Sequence, residues 1–168
     1  MSEILDLVNE NDEVVGQMER DLVYAKHLSN LRVINAFLVS DEGKIWVPKR
    51  AASKRVFPLG LDMSVGGHVE TGEDYDVTFA RETMEELNID TQKLPWRLLG
   101  KLNPHEHHTS AFMQVYEIRS NETPNYNTGD FVGYEWLSPE EILEKKKAGV
   151  YMKDDLPRLV RIFYPPTA

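Results

Sequence analysis

The stretch from Gly67 to Ile89, GHVETGEDYDVTFARETMEELNI, concentrates carboxylates within a short span of the chain. Five of its charged residues carry the pattern that matters for metal binding: Glu73, Arg81, Glu82, Glu85 and Glu86. Carboxylate oxygens are the ligands that a hard divalent cation such as Mg²⁺ prefers. The first hypothesis from these residues is therefore magnesium-dependent phosphate chemistry.

A helix over this stretch would place three glutamates on one face. At about 100° per residue, with Glu82 at 0°, Glu86 falls at about 40° and Glu85 at about 300°. Four apolar residues fall at about 140–220° and are predicted to pack on the core: Val77, Ala80, Met84 and Leu87. The alternative is an ordinary solvated charged face. Repulsion between glutamates three and four residues apart, which only Arg81 offsets, weighs against that alternative.

The ends of this helix have their own signals. Thr71 is a predicted N-cap, with Asp74 three residues later as a weak capping box. Asn88 is predicted to end the helix, because Asn tolerates the left-handed backbone conformation.

The spacing G-x5-E-x7-R-E-x-x-E-E resembles the Nudix box, which would span residues 67–89. Thr83 stands where that box prefers a bulky aliphatic residue, and Asn88 replaces its usual glycine. The segments LDLVNENDEVVG, VPKRAASKRVFP and GYEWLSPEEI are similar to the branch of the superfamily related to isopentenyl-diphosphate isomerase, so the resemblance covers about residues 4–145. It implies a Nudix-type α/β/α sandwich around a mixed β-sheet.

The resemblance also implies a metal site. By it, Glu85 and Glu86 bind the main Mg²⁺, with Mn²⁺ as an alternative ion, and Glu82 binds a further metal ion or helps to activate water. A divalent cation of this kind neutralises developing charge on the phosphates and lowers the pKa of an attacking water molecule.

Three further box residues receive supporting roles from the same resemblance. Arg81 is similar to the arginine that orients the glutamates through salt bridges. Glu73 is similar to the residue that holds the loop or assists metal binding indirectly, and Gly67 would allow a tight turn beneath the site.

The isomerase reaction needs a Cys and a Glu as its acid–base pair, and this chain has no Cys. By the resemblance, Gly66 stands at the position of the isomerase cysteine. His68 matches one metal-binding histidine of the isomerase, but Arg32 lies near the position of another, and the strand SAFMQVYE lacks the expected glutamates. We therefore expect a hydrolase of nucleoside di- or triphosphates or nucleoside diphosphate-linked compounds. A non-catalytic nucleotide-binding regulatory module is the second hypothesis, and an isomerase is the third.

A basic cluster precedes the box: Lys49, Arg50, Lys54 and Arg55. We expect Arg50 above all, with Lys49 and Arg55, to hold substrate phosphates. The alternative is ordinary surface charge.

Three other sets of residues leave alternatives open. The run Pro104-His105-Glu106-His107-His108 is interpreted as a polar loop rather than a metal site, because it lacks Cys partners and helical ligand spacing. Asp130 or Glu106 would supply a general base from outside the box. Phe57 either stacks on a base or packs in the core.

Composition limits the class of protein. A length of 168 residues fits one domain, so a single Nudix domain over residues 1–168 is expected. A net charge of −9 argues against binding to nucleic acid duplexes, although a small nucleotide substrate is compatible with it. No segment is apolar enough to cross a membrane and none resembles a signal peptide, which predicts a cytoplasmic location. The oligomeric state stays open, with a homodimer as the common arrangement in the family.

Further strands and helices are predicted before and after the box. Two short strands are predicted around a turn at residues 9–12, and a short helix at 20–28. Further strands are predicted at 32–40, 45–50, 62–65, 96–103, 110–119 and 131–138. A helix is expected from the Ser138-Pro139 pair, and another at 153–164. This mixed order indicates an α/β sandwich.

Overall fold

The computed structural model describes residues 2–166. The strands are β1 (Ile4–Val8), β2 (Val14–Glu19), β3 (Arg32–Val39), β4 (Ile45–Arg50), β5 (Val65–His68), β6 (Trp96–Leu102), β7 (Phe112–Arg119) and β8 (Phe131–Leu137). The helices are α1 (Arg20–Ala25), α2 (Tyr75–Leu87), α3 (Pro104–His107), α4 (Pro139–Lys147) and α5 (Asp155–Phe163).

The main sheet is mixed and has strand order β6-β7-β3-β4-β8, with β5 paired to β3. Strands β3 and β7 run parallel, whereas the other pairs in this sheet are antiparallel. Strands β1 and β2 form a separate antiparallel pair. The predicted α/β class with a mixed sheet is therefore confirmed.

Strand β3 is buried on both faces, which explains its continuous apolar run. Ile34, Ala36 and Leu38 belong to one core cluster together with residues of α2. Phe37 and Val39 belong to a second cluster with residues of α4 and α5. The sheet thus lies between α2 on one side and α4 and α5 on the other.

Helix α2 starts later than predicted. It begins at Tyr75, and its N-cap is Asp74, whose side chain accepts a hydrogen bond from the Val77 amide at 2.8 Å. Thr71 does not cap the helix, because its hydroxyl lies 3.2 Å from the carbonyl of Ile4 and ties the preceding loop to β1. The predicted end is confirmed, since Asn88 has a left-handed φ of 55°.

The predicted apolar stripe of α2 is wrong at three of its four positions. Val77 is 53% exposed and Met84 is 46% exposed, and Ala80 is exposed as well. The helix instead packs through the face that carries its buried residues: Tyr75, Thr78, Phe79, Thr83, Glu86 and Leu87. The rings of Phe79 and Tyr116 stack with their centroids 4.0 Å apart, and this contact holds the buried face of α2 against the sheet. The glutamate face therefore adjoins the buried face rather than opposing it.

Two smaller predictions also need correction. Residues 104–107, predicted as a loop, form the short helix α3, because the Asn103 side chain accepts hydrogen bonds from the amides of His105 and Glu106. Strand β5 covers Val65–His68 rather than 62–65, because Gly66 and Gly67 both take part in its pairing with β3.

Asp12 joins the β1–β2 turn to the rest of the fold. Its carboxylate is bonded to Arg32 at 2.7 Å, to the hydroxyl of Tyr75 at 2.8 Å and to Lys101 at 2.5 Å. Burial alone would raise the pKa of Asp12, but the hydrogen bonds from these three partners outweigh it and lower the pKa below its usual value.

We expect Asp12→Asn to lower the free energy of unfolding by about 2–4 kcal/mol at pH 7, since it leaves the half-buried guanidinium of Arg32 without its anion. The folded-state pKa of Asp12 is depressed, so its stabilisation is present above about pH 4 and is lost as the pH falls through that folded-state pKa. Urea unfolding at pH 7 and at pH 3 measures the difference in the free energy of unfolding between the wild type and Asp12→Asn. Glu42→Gln, at an exposed turn position, is the control. An equal difference at both pH values would contradict the ionic explanation.

No helix in the described part of the chain is long and apolar enough to cross a membrane. The predicted cytoplasmic location stays a prediction.

Candidate active site

Glu86 lies at the outer edge of β5. That edge has no neighbouring strand in the described sheet, and the Gly66 amide donates instead to Glu86 Oε1 at 2.9 Å. The Glu86 side chain belongs to the buried face of α2 and is only 9% exposed. Burial raises the pKa of Glu86 well above its usual value, and the nearby charge of Glu82 adds to this, while the bond from Gly66 opposes it.

Glu82 lies directly over Gly67. A Cβ atom on Gly67 would be 2.2 Å from Glu82 Cδ and 2.3 Å from Glu82 Oε1, so only glycine leaves room for this carboxylate. Burial raises the pKa of Glu82 to about 7, against the lowering effect of Arg81 and with the help of Glu85. The strand and the helix thus bring two desolvated carboxylates to the same edge.

Arg81 links the box residues to one another. Its Nε atom donates to both carboxylate oxygens of Glu73 at 3.1 Å, and Nη1 donates to Glu82 at 2.9 Å and to Glu85 at 3.4 Å. Its Nη2 atom also reaches the carbonyl of His68 at 3.3 Å. Burial opposes the charge on Arg81, but the glutamates around it outweigh burial and raise its pKa.

Glu73 is held from two sides. Besides Arg81, the hydroxyl of Thr78 donates to its Oε2 at 2.9 Å. The salt bridge between Arg81 and Glu73 spans the loop that precedes α2. Glu73 therefore connects the loop after β5 to the helix that carries the other glutamates.

The donor set of this edge fits a hard divalent cation. Within residues 2–166, no three acidic or histidine side chains already form a metal-binding group. However, buried Glu86 and half-buried Glu82 are carboxylates with raised pKa values, and a divalent cation would compensate both charges. Glu85 is the exposed third member of the group, and its bond to Arg81 is long.

A cavity of about 600 Å³ opens beside the three glutamates. Its wall includes side chains from α1, from the 50–57 segment and from the region where α5 begins. The basic residues in this wall are Arg20, Arg50, Lys54, Arg55, Lys153 and Arg158. The cavity thus has a carboxylate edge and several cationic groups, although the chain as a whole is acidic.

The predicted phosphate-binding residues lie in different surroundings. Arg50 lines the cavity, but its Nη1 atom is paired with Asp62 at 2.6 Å and its Nε atom donates to the Val56 carbonyl. Arg55 also lines the cavity and pairs with Asp21. Lys49 is exposed and lies outside the cavity wall. Successive side chains of a strand point to opposite faces of the sheet, so Lys49 and its neighbour Arg50 do not share a face.

The two candidate general bases are separated by the fold. Asp130 lines the cavity and is bonded to Lys54 at 2.6 Å. Glu106 lies on α3, outside the cavity wall, and its side chain is 72% exposed. Phe57 is half-buried, lines the cavity and packs against Tyr151.

Several cavity residues were missed by sequence reasoning. Arg20 and Tyr24 are four residues apart on α1, a spacing that marks one helical face, and both line the cavity. Tyr24 is hydrogen-bonded to His68 Nε2 at 2.9 Å. Burial, with the charges of Arg20 and Lys153, lowers the pKa of His68 to about 3, so this histidine is neutral at physiological pH.

These features define the class of the protein: an α/β/α sandwich whose acidic site is carried by one helix beside a short glycine-containing strand. A NUDIX domain model matches residues 29–156. The chain therefore belongs to the Nudix hydrolase family, whose members hydrolyse phosphorus-containing anhydrides and act on small nucleotide-like substrates.

Individual relatives agree with this assignment. The chain is 49% identical to a Nudix hydrolase from Deinococcus radiodurans over 162 residues, covering 96% of this chain and 94% of the relative. It is also 49% identical to an uncharacterized Nudix hydrolase from Nostoc, covering 96% of both. A crystal structure of a Deinococcus radiodurans protein matches with a TM-score of 0.92 and 48% identity, covering 96% of this chain and 99% of that one.

The similarity to isopentenyl-diphosphate isomerase is weaker. The isomerase from Enterobacter is 33% identical over 88 residues, covering 52% of this chain and 48% of the isomerase. The position predicted to correspond to the isomerase cysteine is Gly66, whose amide is bonded to Glu86.

Proposed function

We propose that this protein is an Mg²⁺-dependent hydrolase that cleaves a diphosphate linkage in nucleoside di- or triphosphates or in nucleoside diphosphate-linked compounds. The observation that carries the proposal is the carboxylate pair of half-buried Glu82 and buried Glu86, held against Gly67 and Gly66 at the edge of a partly basic cavity. We also propose that residues 1–168 form a single Nudix domain.

In this proposal Glu82, Glu85 and Glu86 hold the metal ion, with Mn²⁺ as an alternative to Mg²⁺. When bound, the ion would neutralise charge on the phosphates and acidify the attacking water. Arg81 orients Glu82 and Glu85 through its hydrogen bonds, and it ties them to the loop through Glu73.

The basic part of the cavity binds the phosphates. Lys54 and Arg55 supply positive charge from the loop, and Arg50 contributes from its pair with Asp62. Asp130 is the better placed candidate for the general base, because it lines the cavity and Glu106 does not. Lys49, being outside the wall, contributes only to the surrounding electrostatic field.

The other two hypotheses predict different products. A non-catalytic nucleotide-binding module has no need of the buried carboxylates, whose burial costs free energy without a cation. An isomerase needs a proton donor at the position of Gly66, and glycine has no side chain to supply one.

The test is to incubate the protein with nucleoside di- and triphosphates, nucleoside diphosphate-linked sugars and isopentenyl diphosphate, each with Mg²⁺, Mn²⁺ or excess chelator. We expect metal-dependent release of nucleoside monophosphate with inorganic phosphate or a second phosphorylated product. Tight nucleotide binding without any product would favour the regulatory module. Isomerised isopentenyl diphosphate would overturn the proposal.

A further inference from the structure

Asn35 is a polar residue in an apolar part of the sheet. It lies at the centre of β3, is only 4% exposed and lines the cavity. The cavity wall also includes apolar residues, among them Val33, Met63 and Ala111. The carboxamide of Asn35 is therefore a buried polar group at the wall of a mixed polar and apolar cavity.

This carboxamide is poorly satisfied within the described part of the chain. Its Nδ2 atom has a sulfur acceptor, Met113 Sδ, at 3.5 Å. A thioether is a weak acceptor, whereas the carboxamide offers two N–H donors and a carbonyl acceptor. A buried amide with so few partners costs free energy unless a ligand or water completes its hydrogen bonds.

The partner strand leaves space for this side chain. Gly66 is opposite Asn35 in the pairing of β5 with β3. A Cβ atom on Gly66 would lie 2.9 Å from Asn35 Oδ1, closer than real Cβ contacts allow. The same Gly66 holds Glu86 through its amide, so the carboxamide and the buried carboxylate meet at one residue.

We propose that Asn35 is a specificity-determining residue that hydrogen-bonds the nucleobase of the substrate. A planar base fits a cavity whose wall combines apolar side chains with a few fixed polar groups, of which the Asn35 carboxamide is one. A carboxamide presents a donor and an acceptor side by side, which pair with an acceptor and a donor on a base edge. The inference rests on the proposed function, because it assigns the base-binding part of the same cavity.

Kinetics with three variants test this role. Asn35→Leu keeps the approximate shape without polar atoms, and Asn35→Asp keeps the shape without N–H donors. Gln92→Leu removes a carboxamide from an exposed position between α2 and β6, outside the cavity wall, and serves as the control. The substrates are the four ribonucleoside diphosphates, their 2′-deoxy forms and ribose 5-diphosphate, which has no base.

We expect both Asn35 variants to raise KM for the preferred nucleotide by about 10-fold or more, with a smaller change in kcat. The preference among bases should weaken, while kcat/KM for ribose 5-diphosphate should stay within about 2-fold of the wild type. The Gln92→Leu variant should behave as the wild type does on every substrate. An equal loss on base-containing and base-free substrates, or a loss confined to ribose over deoxyribose, would overturn the assignment to the base.

A binding measurement separates this inference from the proposed function. The Asn35 side-chain amide signals, identified by their absence in Asn35→Leu, are followed by NMR during titration with the four nucleoside 5′-monophosphates in metal-free buffer. We expect a saturable shift for the preferred base and weaker binding to the variant. If the shift occurs but the wild type hydrolyses no substrate, the proposed reaction is wrong and the base site is supported. If the wild type hydrolyses nucleotides but the shift does not occur, the base site is wrong and the proposed reaction is supported.

Discussion

Glu86→Gln should reduce kcat by about 100-fold or more while the fold persists, since even residues that contact metal ligands indirectly cost about 10–100-fold when replaced. Glutamine keeps a carbonyl oxygen for the Gly66 amide, so the contact between β5 and α2 survives. It removes the negative charge that a divalent cation would need. Steady-state assays with Mg²⁺ measure the loss of kcat, and calorimetry measures the loss of metal binding.

The stability of this variant gives an independent check. Glu86 is 9% exposed, and a buried carboxylate without a cation opposes folding. We therefore expect the metal-free Glu86→Gln protein to have a Tm equal to or above that of the wild type. Glu144→Gln, on the exposed side of α4, is the matched control and should change neither kcat nor Tm. An unchanged kcat in Glu86→Gln would refute the metal-binding role.

Gly67→Ala should reduce kcat/KM by about 100-fold or more, because the new methyl group occupies the space of the Glu82 carboxylate. The atoms that it meets are the outer atoms of a flexible side chain, at 2.2–2.5 Å, so Glu82 can rotate away. The loss of activity should therefore exceed the loss of stability. Assays of turnover and thermal unfolding on the same preparation measure both.

A double variant separates displacement from general damage. In Gly67→Ala/Glu82→Ala the clash is absent, so we expect stability to recover relative to Gly67→Ala while activity stays low. Gly133→Ala is the control, because nothing lies within 4 Å of a Cβ at that position. Full activity of Gly67→Ala would show that the close approach of Gly67 to Glu82 has no part in the reaction.

Local signals predicted many element boundaries well. Helix α4 starts after Ser138 with Pro139 in its first turn, as expected, and Asn88 ends α2 in the left-handed conformation. The turn at residues 9–12 joins two short strands, and the strands predicted at 32–40 and 45–50 form as β3 and β4. These features depend on residues a few positions apart, so the sequence contains their determinants directly.

The orientation of α2 could not be predicted in the same way. A helical wheel shows which residues share a face, but it does not show which face meets the sheet. Phe79 of α2 stacks on Tyr116 of β7, and this orientation of the helix buries Glu86 and exposes Val77 and Met84. The energy of an aromatic contact between distant residues outweighed the local apolar pattern.

The sequence by itself determined the chemistry that this protein has available: the glutamates, their spacing around Arg81 and the absence of Cys. The tertiary structure decided what surrounds each group. Pairing of β5 with β3 placed Gly66 against Asn35 and Gly67 beneath Glu82, and the fold paired Arg50 with Asp62. Burial and partner choice depend on residues far apart in the chain, and these in turn set the pKa values and the free space of the site.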